Sequence, residues 1–95
     1  MIQKLYEIIQ DRKANPKEDS YTNTLLNAGE DEILKKVGEE SVEVILAAKG
    51  QGKARLVEEV ADLMYHSLVL LVQQDVSLAE VEGELERRHQ TGGAS

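Results

Sequence analysis

Two acidic pairs stand at helical spacing in this chain: Glu40 with Glu43, and Glu59 with Asp62, each three residues apart. On a helix advancing about 100° per residue, with Glu40 at zero, Ile33, Val44, Val37 and Ala47 fall near about +20°, +40°, +60° and −20°. Glu40 therefore sits inside an apolar stripe. Glu43 lies on the stripe's edge at about −60°, Lys36 at about −40° and Glu39 at about −100°. The same construction about Asp62 puts Arg55, Glu59 and His66 on one polar line, at about +20°, +60° and +40°. The rest of residues 60–72 is apolar almost all the way round, which marks a buried helix and predicts that its polar line is enclosed too.

Buried carboxylates must be paired with bases, protonated or bound to a metal, because an isolated buried charge is too costly. Four converging acids exceed what Lys36 and Arg55 can neutralise. Hard oxygen donors in a chain with 0 Cys point to Mg²⁺, with Mn²⁺ as a substitute. Mg²⁺ keeps several waters and shares its shell with phosphates, so an acidic protein with such a site can hold a polyphosphate through the metal. The competing reading is a solvated face in which Glu39, Glu40, Glu43, Glu58 and Glu59 make i, i+4 links. The setting of Glu40 and Asp62 among aliphatic residues argues against it. Lys36 reads either as a phosphate contact or as an i, i+4 partner of Glu40. Arg55 reads as a partner of Glu59 or a phosphate contact, and His66 as a hydrogen-bonded core residue, a partner of the ligands or a substrate contact.

Five helical segments are expected to position these groups. Ile2, Leu5, Ile8 and Ile9, with Tyr6 beside them, mark the face of a first helix over residues 2–14, stopped by Asn15-Pro16. Ser20 is the N-cap of a short second helix carrying Tyr21, Thr22, Leu25 and Leu26, and Gly29 suits its stop. Ser20 also opens a helix N-terminus, a place where backbone N–H groups can hold phosphate. A third helix covers residues 30–49 and a fourth residues 53–74, joined by Gly50-Gln51-Gly52, so the pair must lie antiparallel as an αα-hairpin. Ser77 and Glu80 form a capping box for a fifth helix reaching Arg88, where Arg87 and Arg88 suit the C-terminal dipole. Tyr65 is expected between helices with its hydroxyl at the rim. The expectation is one domain over residues 1–95, structured over 1–88 with a frayed tail at 89–95.

Composition agrees with an all-α helical bundle of four to five helices per chain. The 95 residues include three Tyr, no Phe, no Trp and one Pro, so the core is aliphatic and a β-sandwich is disfavoured. A chain of this size buries only roughly 60–65% of its unfolded surface, so completion by dimerisation, or a higher homo-oligomer, is expected. The net charge of −7 disfavours nucleic-acid binding. Residues 68–72 form an apolar run that no other in the chain exceeds, and it is too short for a bilayer, so no membrane is expected. Met1-Ile2-Gln3-Lys4 lacks the blocks of a signal peptide, which makes the cytoplasm the expected compartment.

Gly38-Glu39-Glu40-Ser41-Val42-Glu43 followed by Glu59-Val60-Ala61-Asp62 resembles the E-E-x-x-E … E-x-x-D pattern of the MazG-like all-α nucleotide pyrophosphatase superfamily. Ser20-Tyr21-Thr22 with Leu25-Leu26 and Gly29, Lys35-Lys36-Val37-Gly38-Glu39-Glu40, the stretch from Glu59 through Asp62 and Tyr65 to His66, and Leu85-Glu86-Arg87-Arg88 resemble segments of the phosphoribosyl-ATP pyrophosphatase family of histidine biosynthesis. The resemblance covers about residues 5–88. It implies Mg²⁺-dependent hydrolysis of phosphoribosyl-ATP between the α and β phosphates, giving phosphoribosyl-AMP and pyrophosphate. It implies Glu40, Glu43, Glu59 and Asp62 as metal ligands; for hydrolysis at such a site Glu39 or Glu40 is the expected base, and Lys36 contacts a phosphate or balances the acids. Substrate contacts from Ser20, Tyr21, Thr22, Lys36, Arg55 and His66 are expected with it. It further implies a homodimer, and in many organisms a fusion to a phosphoribosyl-AMP cyclohydrolase. This chain reads as the stand-alone form, with association with a separate cyclohydrolase as the corresponding expectation. The alternatives are a house-cleaning pyrophosphatase for noncanonical nucleoside triphosphates and a non-catalytic helical dimerisation module. A di-iron bundle needs Glu-x-x-His pairs, and neither Glu58 nor Glu59 has a His three residues on.

Overall fold

The structure is a computed structural model describing residues 1–92. Five helices and no strand occur among the described residues: α1 (Ile2–Ala14), α2 (Tyr21–Ala28), α3 (Glu30–Gly50), α4 (Lys53–Gln73) and α5 (Leu78–Gln90). Punctuation in the sequence accounts for the boundaries. The Ser20 hydroxyl accepts from the Asn23 backbone N–H and starts α2. Ser77 and Glu80 cap α5 reciprocally, as a capping box. The two long helices instead start at glycines, Gly29 at φ 97° and Gly52 at φ 89°, each without a side-chain cap. Positive φ lets the chain reverse within one residue, a conformation a side chain would resist.

The reversal at Gly52 folds α3 and α4 into the expected antiparallel hairpin, the most extensive packing in the molecule. One end of that hairpin is the core. Ile33 near the start of α3 and Leu68, Val69 and Val72 near the end of α4 pack with Tyr6 and Ile9 of α1, Leu25 of α2 and Leu78 at the start of α5. Ile9, Ile33 and Val69 are fully buried. Asn23, also buried, ties the α1–α2 link down: its side chain accepts from the Lys17 N–H at 2.9 Å and donates to the Arg12 carbonyl at 2.7 Å. The Tyr6 hydroxyl donates to the Val76 carbonyl at 2.8 Å, fastening the α4–α5 link to α1.

The other end of the hairpin projects beyond this core. The Cα radius of gyration is 14.8 Å, against about 12 Å for a compact chain of this length. Here the expectation of an all-round buried fourth helix is corrected. Val60 and Met64 are exposed, as are Val57 on α4 and Val42, Ile45 and Leu46 on α3. Within one chain α1 and α2 pack at the core end, and among the described residues nothing covers the outer aliphatic face near the turn. The polar line of α4 is likewise only partly enclosed: Glu59 and His66 are buried, while Arg55 and Asp62 face solvent. At the C-terminal side, α5 runs to Gln90, two residues past the expected Arg88. The frayed tail expected from residue 89 is thus helical at first, and its residues 93–95 lie outside the described residues. Among the described residues no helix is long and apolar enough to cross a membrane.

Candidate active site

The acids sit midway along the hairpin, where α3 and α4 run side by side. Lys36, Glu39, Glu40 and Glu43 from α3 and Arg55, Glu59 and Asp62 from α4 line one polar cleft of about 340 Å³. The spacing of three and four residues on each helix presents these side chains along one seam, and the antiparallel pairing brings the two seams together. Glu40, Glu59 and Asp62 converge most closely, each offering a carboxylate oxygen within 4.8 Å of the others. Glu43 lines the same cleft but lies outside that close group. The sequence pattern leads to four converging acids; the structure draws three together and sets the fourth on the wall.

Glu59 is the buried member, 2% exposed, on a helix whose neighbouring residues 57, 58 and 60 are exposed. Burial raises its pKa above the ordinary carboxylate range; Arg55 opposes the shift, while the hydrogen-bonding and charged carboxyl of Glu40 and the charge of Asp62 reinforce it. The Arg55 guanidinium lies 2.9 Å from Glu59 and 3.1 Å from Glu58, so Arg55 is the structural partner of Glu59. One guanidinium against three gathered carboxylates leaves the cleft net negative. Lys36 is placed differently from the i, i+4 link to Glu40. Its Nζ stands 3.9 Å from Glu39, a loose contact at i, i+3 that leaves Glu40 to the triad. These donors are all hard carboxylate oxygens, the chemistry of a Mg²⁺ or Mn²⁺ site.

The remaining sequence candidates form a second group on α2 and α4. His66 is buried, its Nδ1 2.8 Å from the carbonyl of Asp62 and its Nε2 3.3 Å from the Tyr21 hydroxyl. The Thr22 hydroxyl hydrogen-bonds the Tyr65 hydroxyl. The Tyr21 and Tyr65 rings stack 6.2 Å apart, and His66 meets both edge-on. Ser20 is engaged as the α2 cap, beside Arg12, Lys17 and Thr22 in a separate shallow cleft. The two groups are joined along α4, where His66 follows Asp62 by one turn. Sequence reasoning misses the direct partnership of Thr22 with Tyr65. The only signal for it is that two hydroxyl-bearing residues stand on helices that must touch.

The protein-family model described as Phosphoribosyl-ATP pyrophosphohydrolase matches residues 2–89. A phosphoribosyl-ATP pyrophosphatase of Listeria welshimeri is 59% identical over 88 residues, covering 93% of this chain and 84% of the relative. One of Lactiplantibacillus plantarum is 55% identical, covering 92% of this chain and 82% of the relative. The histidine biosynthesis bifunctional protein HisIE of Caldanaerobacter subterraneus is 53% identical over 94% of this chain, which spans 43% of that relative's length.

Proposed function

Because the chain belongs to the phosphoribosyl-ATP pyrophosphohydrolase family, we propose that it hydrolyses phosphoribosyl-ATP at the α–β phosphoanhydride. The products are phosphoribosyl-AMP and pyrophosphate, and the reaction belongs to histidine biosynthesis. The convergence of Glu40, Glu59 and Asp62 within 4.8 Å carries this reading, in a chain whose relatives bear the name of that activity.

Glu40, Glu59 and Asp62, with Glu43 on the cleft wall, are the residues that would hold Mg²⁺, or Mn²⁺ in its place. The donor set supports this: three carboxylates are gathered around less positive charge than they carry, and Glu59 keeps its proton more readily than an ordinary carboxylate until a cation replaces it. When bound, the ion supplies neutralisation of phosphate oxygens and of the charge growing on pyrophosphate. Glu39 lines the cleft outside the triad and contacts Lys36 only loosely, so its carboxylate is free to take a proton. The attacking water gives that proton to Glu39 as its oxygen bonds to the α phosphorus, and the bond from that phosphorus to the bridging oxygen breaks. Lys36 balances phosphate charge from the α3 side, and Arg55 holds Glu59 in place.

The aliphatic face of Val42, Ile45 and Leu46 with Val57, Val60 and Met64 is covered by a second copy of the chain in this reading. An exposed patch of this kind marks an association surface, and it flanks the cleft's own helices. Association with a phosphoribosyl-AMP cyclohydrolase, which would consume the product, belongs to the same proposal.

The test is hydrolysis by the purified chain of phosphoribosyl-ATP beside a panel of ordinary and noncanonical nucleoside triphosphates, in Mg²⁺ and after chelation. The expected result is kcat/KM for phosphoribosyl-ATP at least about tenfold above every other nucleotide, a difference of about 1.4 kcal/mol in transition-state binding. Activity is lost on chelation and restored by Mg²⁺. Preference for noncanonical triphosphates would replace the substrate assignment with house-cleaning. No hydrolysis, and no heat of Mg²⁺ binding at millimolar metal, would leave a dimerisation module.

A further inference from the structure

We propose that His66 is a positioning residue. Bonded through Nδ1 to the Asp62 carbonyl and through Nε2 to the Tyr21 hydroxyl, it holds the Tyr21 ring beside the turn of α4 that follows Asp62, where that ring serves as a stacking face for the purine of the nucleotide. This deepens the functional reading above and rests on it. The Asp62 carbonyl can only accept, so the proton of the 2.8 Å contact lies on Nδ1. On the other side of the ring Nε2 hydrogen-bonds the Tyr21 hydroxyl at 3.3 Å. One imidazole thus joins the backbone of a cleft-lining residue on α4 to the first residue of α2, over roughly 6 Å of helix rise.

Tyr21 needs such an anchor. It is 52% exposed, yet it stacks on Tyr65 at 26° and meets His66 at 83°. Its inner surface is packed and the rest is open. A half-open aromatic ring, fixed close to an acidic cleft that would hold a triphosphate, suits a base at the other end of the same nucleotide, because base stacking on aromatic rings is tolerant and adds about tenfold or more in affinity. Thr22, bonded to Tyr65, holds the next residue of α2 independently, so loss of the His66 contact loosens the Tyr21 ring without undocking the helix.

The experiment combines nitrogen-15 NMR of the imidazoles with steady-state kinetics on phosphoribosyl-ATP. The spectrum is expected to show a proton on His66 Nδ1, which the bond to the Asp62 carbonyl requires; a ring protonated on Nε2 alone overturns the proposal. His66→Asn keeps a donor near Nδ1 and removes the Nε2 partner of Tyr21, whereas His66→Gln sets an amide group near the place of Nε2. Tyr21→Phe and His66→Asn should each raise KM about three- to tenfold with kcat within about twofold, their combination should cost no more than either alone, and His66→Gln should recover most of the loss. A fall in kcat at unchanged KM in His66→Asn, multiplicative effects of the two changes, or a Gln variant as poor as the Asn variant would each overturn it. A wild-type chain inert toward phosphoribosyl-ATP would sink the functional reading and this role together, while an active wild type with any of the former results sinks this role alone.

Discussion

Glu59 experiences two opposed demands, burial that favours its proton and Arg55 that favours its charge, and burial is the larger. With its folded pKa raised above that of the unfolded chain, the folded state binds the extra proton. The stability Glu59 contributes is therefore present below the unfolded value and lost as pH rises through the folded value. Glu59→Gln, which removes the charge and keeps the shape, should raise the metal-free Tm at pH 7 and flatten the decline of Tm with rising pH across the carboxylate range. Mg²⁺ is expected to raise the Tm of the wild-type protein, and the same change should abolish that increase. Differential scanning calorimetry with and without Mg²⁺ reads all three. Glu40→Gln and Asp62→Asn act on the other two acids of the triad. Each should lower kcat by about a hundredfold or more, while circular dichroism remains that of the wild type. Wild-type turnover in either would remove these acids from the site. At this scale the sequence was informative because carboxylates at spacings of three and four on two adjoining helices can hardly avoid one another. It was less informative about which acid is buried: Glu59 and not Asp62 is enclosed, because α4 is covered along only part of its length. The choice of Glu39 over Glu40 by Lys36 is a matter of rotamer, which no helical projection contains.

Helices α3 and α4 were readable from punctuation as much as from periodicity, and the glycines between elements carry a checkable cost. At Gly52 the backbone sits at φ 89° and ψ 166°, a region essentially reserved for glycine, and an added Cβ would meet nothing within 4 Å. Gly52→Ala therefore isolates torsional strain from steric clash. It should destabilise the protein by about 1–3 kcal/mol in urea unfolding, with activity retained at temperatures where the chain is folded. The capping box of α5 offers a milder case. Ser77→Ala removes the acceptor for the Glu80 N–H at 3.1 Å and should cost about 1 kcal/mol. Because α5 packs on the bundle only near Leu78, the loss should appear chiefly as faster amide exchange in the first turn of α5. The extension of α5 to Gln90 escaped the sequence reading because His89 and Gln90 bring no apolar period, yet nothing in them ends a helix.

For the molecule as a whole, the outward half of the hairpin decides the picture. A helix whose residues are apolar on every side is expected to be buried, but that expectation counts neighbours from outside the chain as well as within it. In the proposed dimer, the exposed aliphatic face of α3 and α4 is the surface that a second copy would cover. Ile45→Asp together with Val57→Asp, both at exposed positions, should shift the particle seen by light scattering from a multiple of 10.6 kDa to the single-chain mass while keeping helicity. An unchanged association state would place the contact elsewhere.

In the proposed reaction the acids of the α3–α4 seam direct hydrolysis to the α–β bond of phosphoribosyl-ATP. Phosphorus-31 NMR of the reaction in Mg²⁺ tests it most directly. One equivalent of pyrophosphate and one of phosphoribosyl-AMP are expected for each substrate consumed, with neither formed at a comparable rate by Asp62→Asn. Release of orthophosphate with phosphoribosyl-ADP, or pyrophosphate formed as fast by the variant as by the wild type, would contradict it.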